Sequence, residues 1–261
     1  MQELDFVIPV YNEGENIRPV LESLQRGVAP PFRVFICYDR DDDTTLGAIK
    51  GLDLGFPLIP VKNAIAPGPH GAVVTGLRAT TAPHVLVIPA DDDYNAPTFE
   101  RMREAAASGA EIVCASRFMP GGSMVGCPWL KALLVRSGAF TLKHLGRLPT
   151  HDASNGLRLF SRRVLDSIEI ESSVGFTYSI ELLVKVHRLG WRIDEVPARW
   201  FERKKGQSRF KVLKWIPPYL GWYFYAFATT YLRRPPSTVP LRREPVRPVS
   251  RPGSVTELEA N

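Results

Sequence analysis

His84 to Pro97 reads HVLVIPADDDYNAP: a short apolar run rich in Val and Ile passes straight into three consecutive acids. A run of this length, bounded by turn residues, predicts a buried strand. Three further stretches have the same character: LDFVIPV at 4–10, FRVFICY at 32–38 and AEIVCA at 110–115. Between them, 16–26 carries Ile17, Val20, Leu21 and Leu24 at helical spacing, and 97–107 opens on Pro97, a favourable first-turn residue. Strands alternating with helices predict an α/β fold with a mainly parallel sheet covered on both faces. Ligands of such sheets bind beyond the carboxyl ends of the strands. The segments there are PVYNEGEN, YDRDDDTT, PADDDYNAP and ASRF.

Adjacent carboxylates repel one another, and a divalent cation ligated by hard oxygens removes that cost. Carboxylates at i and i+2 of a turning segment can face the same way, which makes Asp91 and Asp93 candidate metal ligands. Magnesium or manganese suits them better than zinc, which calls for His or Cys ligands. A lone acid run is ordinarily a solvated turn. Here a second cluster, Asp39, Asp41, Asp42 and Asp43, follows another strand and argues for a ligand.

The 261 residues are 44% hydrophobic and 23% charged, which excludes a wholly disordered or fibrous chain. Three scattered cysteines suggest neither a disulfide framework nor structural zinc, and point to a reducing, cytoplasmic compartment. The acidic start MQELDFVIPVYNEGEN lacks the pattern of a secretion signal. The net charge of +6 is concentrated late: 203–214 contributes +6 and 233–261 contributes +3, leaving −3 for 1–202. Next to the first of these lies WIPPYLGWYFYAFATTYL, 215–232, with eight aromatics in eighteen residues and its first half interrupted by Pro217, Pro218 and Gly221. A basic run beside an aromatic one predicts peripheral attachment to an anionic membrane surface, with packing on the protein's own core as the alternative. Nucleic acid is not an expected partner, because the basic residues are not spread over the folded body. Helices are also predicted over 129–144 and 177–189, the latter stopped by Gly190, and SNGLRLFSRRVL reads as a strand and turn.

PVYNE near the start, the acid cluster ending in Thr44 and Thr45, ADDD, ASRF and SNGLRLFSRRVL occur in an order and at intervals that resemble glycosyltransferase family 2. The likeness is greatest to polyprenyl-phosphate sugar synthases of the dolichyl-phosphate mannose synthase type, and it covers about residues 4–215. It implies a GT-A fold, a nucleotide-sugar donor (GDP- or UDP-hexose), a lipid phosphate acceptor, Mg2+ or Mn2+, and inversion at the sugar. By the same likeness Pro9, Tyr11, Glu13, Asp39, Ala90 and Asp91 match donor-binding positions, Asp39 at the nucleobase, while Asp91 and Asp93 match the metal and diphosphate site. Arg117, Lys131, Arg136, Arg158 and Arg203 fall in segments similar to those that contact phosphates, with Arg117 and Arg203 the best matches. Asp152 and Glu181 also match, either as groups orienting such an arginine or the sugar, or as structural ion-pair partners. Two departures stand out: Pro89 occupies the first position of the usual Asp-Ala-Asp, and Tyr38-Asp39-Arg40-Asp41 replaces Asp-Asp-Gly-Ser.

The loop and helix PGPHGAVVTGLRA, 67–79, resemble the family's donor-covering segment, with Gly68 and Gly71 allowing close approach and Gly76 tight packing. The expected organisation is a GT-A domain over 1–210, an aromatic interfacial helix over 211–232 and a disordered tail over 233–261. Two rival functions stay open: transfer to a hydroxyl acceptor with an aspartate as base, and a nucleotide-sugar-binding membrane scaffold without turnover.

Overall fold

A computed structural model of the chain describes residues 3–202 and 212–242. The basic run 203–211, including Arg203, and the tail from 243 onward lie outside the described residues. In chain order the elements are β1 (Leu4–Pro9), α1 (Ile17–Gly27), β2 (Phe32–Tyr38), α2 (Thr44–Ile49), β3 (Leu58–Lys62), α3 (Pro69–Ala79), β4 (His84–Val87), α4 (Ala96–Ala107) and β5 (Ile112–Ser116). There follow β6 (Ser123–Val125), α5 (Trp129–His144), β7 (Arg158–Ser161), α6 (Arg162–Ser167), α7 (Thr177–Leu189), β8 (Ile193–Pro197), β9 (Arg199–Phe201) and α8 (Val212–Tyr231).

Seven strands form one sheet in the order β3-β2-β1-β4-β7-β5-β8, and β6 pairs with β9 in a small second sheet. All neighbours in the large sheet are parallel except β7, which runs antiparallel between β4 and β5. The four largely apolar runs are explained by burial on both faces, with the charges of Asp5 and Arg33 paired to each other. On one side Leu4, Phe6 and Ile8 of β1 join a core with Ile17 and Leu21 of α1 and Phe99 of α4. On the other, Val7, Phe35 and Val85 join Val73 and Leu77 of α3 and Leu183 of α7. Gly76 makes the second interface possible: a Cβ there would stand 2.5 Å from Cys37 Sγ and 2.7 Å from Val7 Cγ1. Gly190 ends α7 in the left-handed region at φ 71°, as expected of a glycine stop.

Three local features differ from the sequence reading. The sheet edge β3, LIPVK, contains Pro60, which an edge strand tolerates because one side of its backbone needs no ladder partner. The helix α8 runs unbroken through Pro217 and Pro218; the hydrogen bonds they forfeit fall in its first two turns. The tail does not leave the fold at 233: Val239 is buried, Leu241 bridges to Ile168, and Arg242 N–H donates to Ser167 O at 2.8 Å.

Candidate active site

The carboxyl ends of β1, β2, β4 and β5 lie along one edge of the sheet, where the candidate crevice is set. After β1 the chain turns at Asn12, whose φ of 55° is a conformation asparagine tolerates. Asn12 N–H donates to Asp43 Oδ2 at 3.0 Å, Thr44 N–H donates back to Asn12 Oδ1 at 3.2 Å, and Glu13 N–H donates to Thr45 Oγ1 at 3.0 Å. The PVYNE loop is thereby stitched to the acid loop after β2, leaving Tyr11 exposed and Pro9 half-buried beside it. Glu13 accepts from Asn16 Nδ2 at 2.7 Å.

The acids after β2 divide into separate tasks. Asp43 caps α2, accepting from Thr45 N–H at 2.9 Å. Asp42 pairs with Arg40 and Asp41 with Lys62, both at the surface. Asp39 accepts from Asn63 Nδ2 and from Gly68 N–H, each at 2.7 Å, which fastens the 63–68 loop to the end of β2. Gly68 at φ 113° takes a backbone conformation that suits glycine, and at Gly71, in the first turn of α3, a Cβ would meet Ala66 O at 2.0 Å. Asp39, Arg40, Asp41, Asp42 and Lys62 line an open cleft of ≈ 390 Å³.

After β4, alternate residues face opposite ways. Ala90 and Asp92 are buried, Asp91 is half-buried and Asp93 is exposed. Asp92 accepts from Asn95 N–H at 3.1 Å and Asn95 Nδ2 at 2.8 Å, and burial pushes its carboxyl pKa up to about 7. Only Asp91 and Asp93 of the triplet therefore reach solvent. Among the described residues no group of three or more His, Cys, Asp or Glu side chains is placed to hold a metal ion. Two outward carboxylates instead fit the mode in which magnesium is held by one or two acids and completed by substrate phosphates and water.

After β5 comes the cationic side. Arg117 forms a two-pronged pair with Asp152, Nε to Oδ2 at 2.6 Å and Nη2 to Oδ1 at 2.9 Å, and its backbone N–H donates to the same carboxylate at 3.1 Å. Arg117 also donates to Ser154 Oγ at 2.9 Å. The guanidinium groups of Arg117 and Arg136 lie 5.1 and 5.6 Å from the centre of one ring, Phe118. Lys131 Nζ sits 5.0 Å from the Trp200 ring and 3.4 Å from Glu202. Arg117 and Arg136 thus approach the same ring, and Lys131 lies on the same helix as Arg136.

Two residues expected here are elsewhere. Arg158 is fully buried and donates to the carbonyls of Ser179 at 2.5 Å and Ala153 at 3.3 Å instead of presenting its charge at the surface. Its strand is covered on both faces, so alternation offered no outward side. Glu181 is likewise buried, accepting from the backbone N–H groups of Glu171 and Ser172 at 2.6 and 2.9 Å and pairing with Lys185 at 2.6 Å. Its place is that of a structural ion-pair partner, and the E-x-x-x-K spacing on an apolar helix signalled it. Arg203 lies outside the described residues. Sequence reasoning passed over Asn95, Ser154, Trp200 and the contact of His151 Nδ1 with Glu195. Polar residues in otherwise ordinary segments gave no pattern to find them by.

Residues 5–169 match Glycosyl transferase family 2. Among similar proteins, the polyprenol monophosphomannose synthase of Mycolicibacterium smegmatis is 28% identical over 228 residues, covering 80% of this chain and 85% of that one. The undecaprenyl-phosphate mannosyltransferase of Micrococcus luteus is 29% identical over 209 residues, covering 78% and 85%. Among solved structures, glucosyl-3-phosphoglycerate synthase from Mycobacterium tuberculosis with Mn2+, UDP and glucosyl-3-phosphoglycerate superposes with a TM-score of 0.61 at 17% identity, over 89% of this chain and 80% of that one. Fold, motif order and sequence agree: the chain belongs to glycosyl transferase family 2 and is a glycosyltransferase of the GT-A fold.

Proposed function

We propose that this glycosyltransferase moves a hexose, with inversion, from a GDP- or UDP-hexose to a polyprenyl phosphate at the cytoplasmic face of a membrane. The names of the similar mannosyltransferases make mannose the first sugar to test. One observation carries the choice of acceptor: Arg117 and Arg136 flank one ring, Phe118, with Lys131 on the same helix as Arg136, while Asp152 is buried and bound to Arg117 and Glu202 pairs with Lys131. A hydroxyl acceptor needs a base to take its proton, whereas a phosphate is already ionised and needs cations to hold it against a diphosphate. Asp152, Glu181 and Glu202 are each bound to a cation and Asp92 is buried against Asn95, which disfavours them as that base.

On the donor side, Asp39 and the glycine loop would frame the nucleoside, with Pro9, Tyr11, Glu13 and Ala90 around it. Asp91 and Asp93 are the residues that would hold Mg2+ or Mn2+. The ion, when bound, neutralises charge on the leaving diphosphate. Arg117, steadied by Asp152, orients the acceptor oxygen toward the sugar, so the protein's own contribution is alignment and electrostatic stabilisation. Arg203, next along the chain from Glu202, would add to this set.

Membrane contact is supported by an exposed apolar face. On α5, Trp129 is 76% exposed and Leu130, Leu133, Leu134 and Phe140 are exposed beside it. On α8, Leu220, Phe224 and Tyr231 are exposed while Ala226 faces the core. The two helices meet where Tyr223 Oη donates to Thr141 Oγ1 at 2.8 Å. Among the described residues no helix is long and apolar enough to cross a membrane, which suits a face lying on the bilayer. Lys131 and Arg136 belong to the same helix α5, so the acceptor cations sit beside the bilayer face.

The deciding experiment incubates the full chain with GDP-mannose, UDP-glucose and other nucleotide hexoses, Mn2+ or Mg2+, and polyprenyl phosphate in anionic vesicles. Glycolipid formed with one donor supports the reading. Transfer only to soluble hydroxyl acceptors, or nucleotide binding without transfer to any acceptor, overturns it.

A further inference from the structure

Asn95 has no part in the reading above, yet both hydrogens of its amide and its carbonyl oxygen are engaged. Nδ2 donates to Asp92 Oδ2 at 2.8 Å and to Arg199 O at 2.9 Å, while Oδ1 accepts from Arg199 N–H at 3.1 Å. The side chain is buried. It therefore takes the place of a neighbouring strand along the free side of β9, whose other side pairs with β6. The junction continues on either side of Asn95: the Tyr94 and Phe201 rings meet edge to face at 4.8 Å, and Thr98 Oγ1 donates to Pro197 O at 3.2 Å.

The two ends of this clamp reach different halves of the crevice. Asp92 lies between the two outward acids Asp91 and Asp93. β9 carries Trp200 under Lys131 and leads into Glu202, which pairs with Lys131 and whose N–H is anchored on Val125 O at 3.0 Å. We infer that Asn95 is a positioning residue that couples filling of the diphosphate site at Asp91 and Asp93 to the setting of β9, and through it to the cations that receive the acceptor phosphate. The inference rests on the donor and acceptor sides assigned under the proposed function. Asn95 touches neither substrate; it acts through Asp92 on one side and the Arg199 backbone on the other. Linkage makes the effect reciprocal, so a bound acceptor also raises affinity for the donor nucleotide.

The test compares the wild-type protein, Asn95→Ala and Asn95→Ser as full chains, with Thr98→Val as a control that loosens the same junction without touching β9. Amide exchange over 198–202 is followed with and without Mn2+ plus GDP or UDP, and nucleotide binding is measured by calorimetry. In the wild type, nucleotide with Mn2+ should slow exchange over 198–202. In both Asn95 variants the nucleotide should still bind while that slowing is lost. Acceptor KM at saturating donor should rise about 10- to 100-fold, the scale expected for a small misplacement of a positioned group, while the nucleotide Kd measured without acceptor stays within about twofold, because the coupling acts only when both are bound. Thr98→Val should keep the slowing even if its Tm falls. Slowing retained in the Asn95 variants, equal loss in Thr98→Val, or a nucleotide Kd without acceptor that weakens as much as the acceptor KM would each overturn the coupling. If the wild type binds neither nucleotide, the donor assignment fails and the coupling falls with it. If the slowing is seen but polyprenyl phosphate accepts no sugar, only the acceptor assignment fails.

Discussion

Replacing Asp152 by Asn removes one charge from the best-formed ion pair at the crevice and leaves its shape nearly unchanged. The Asp152 side chain is 0% exposed and Arg117 10%, and the pair is closed by contacts of 2.6 and 2.9 Å. Solvent screening is therefore slight, and the variant leaves a nearly buried guanidinium without its counter-charge. Breaking such a pair from one side costs about 3–5 kcal/mol. Asparagine keeps one acceptor oxygen, which puts the loss toward ~3 kcal/mol. For a chain of this size each kcal/mol moves Tm by roughly 2–4 °C, so thermal unfolding followed by circular dichroism should fall by roughly 6–12 °C. Removing both charges in Arg117→Met/Asp152→Asn should recover about 1–3 kcal/mol relative to the sum of the single variants. Activity should part from stability here: the double variant regains Tm but transfers no more sugar than Arg117→Met alone, because the phosphate contact is gone in both. Strictly additive Tm losses, or an Asp152→Asn protein as stable as the wild type, would refute the claim that this pair is the structural base of the acceptor site.

Three other perturbations test separate parts of the molecule. Asp91→Ala should lower transfer by roughly 100-fold or more, on the scale of losing one group that stabilises developing charge, while far-UV circular dichroism is unchanged; near wild-type turnover would remove the donor-metal assignment. Leu133→Glu with Leu134→Glu alters two exposed side chains of α5, so it should abolish co-sedimentation with anionic vesicles while Tm moves by less than about 1 °C, as for a surface change. Burial holds the imidazoles of His70, His84 and His187 below their ordinary pKa. The unfolded chain then takes up protons near pH 6.5 that the native protein does not, so stability should fall as pH drops from about 7 to 5.5. His84→Gln should flatten that slope, and a slope indifferent to the substitution would contradict it.

Strand positions were legible because a sheet covered on both faces demands mostly apolar runs, and 32–38 was read to the residue. The crevice was legible for a related reason: acids directly after a buried strand have nowhere to go but the sheet's carboxyl edge. What each charged group does there was not legible, because it depends on partners distant in sequence. Asp39 is explained by Gly68, 29 residues on, and Arg117 by Asp152, 35 residues on. Arg158 shows the opposite limit. A strand slipped antiparallel between β4 and β5 buries both of its faces, and no spacing in LRLF announces that its arginine is buried instead of at the surface.

The placement of the cations bears on the acceptor independently of any likeness to other proteins. Lys131 and Arg136 are on α5, whose only buried side chains are Ala139 and Leu142, so the helix is held lightly and turns its apolar residues outward. A site built to receive a soluble phosphate would gain nothing from such a helix: its exposed Trp129, Leu130, Leu133 and Leu134 would only promote aggregation. A phosphate carried on a polyprenyl chain changes that balance. Its charge must leave the headgroup layer by a short step, and the cations that take it must sit where the apolar chain can stay behind in lipid. Exposed apolar groups and the cations proposed to take the phosphate, on one helix, would meet both requirements at once. Detaching α5 from the bilayer should therefore raise acceptor KM much more than donor KM, even though no residue of the crevice has changed.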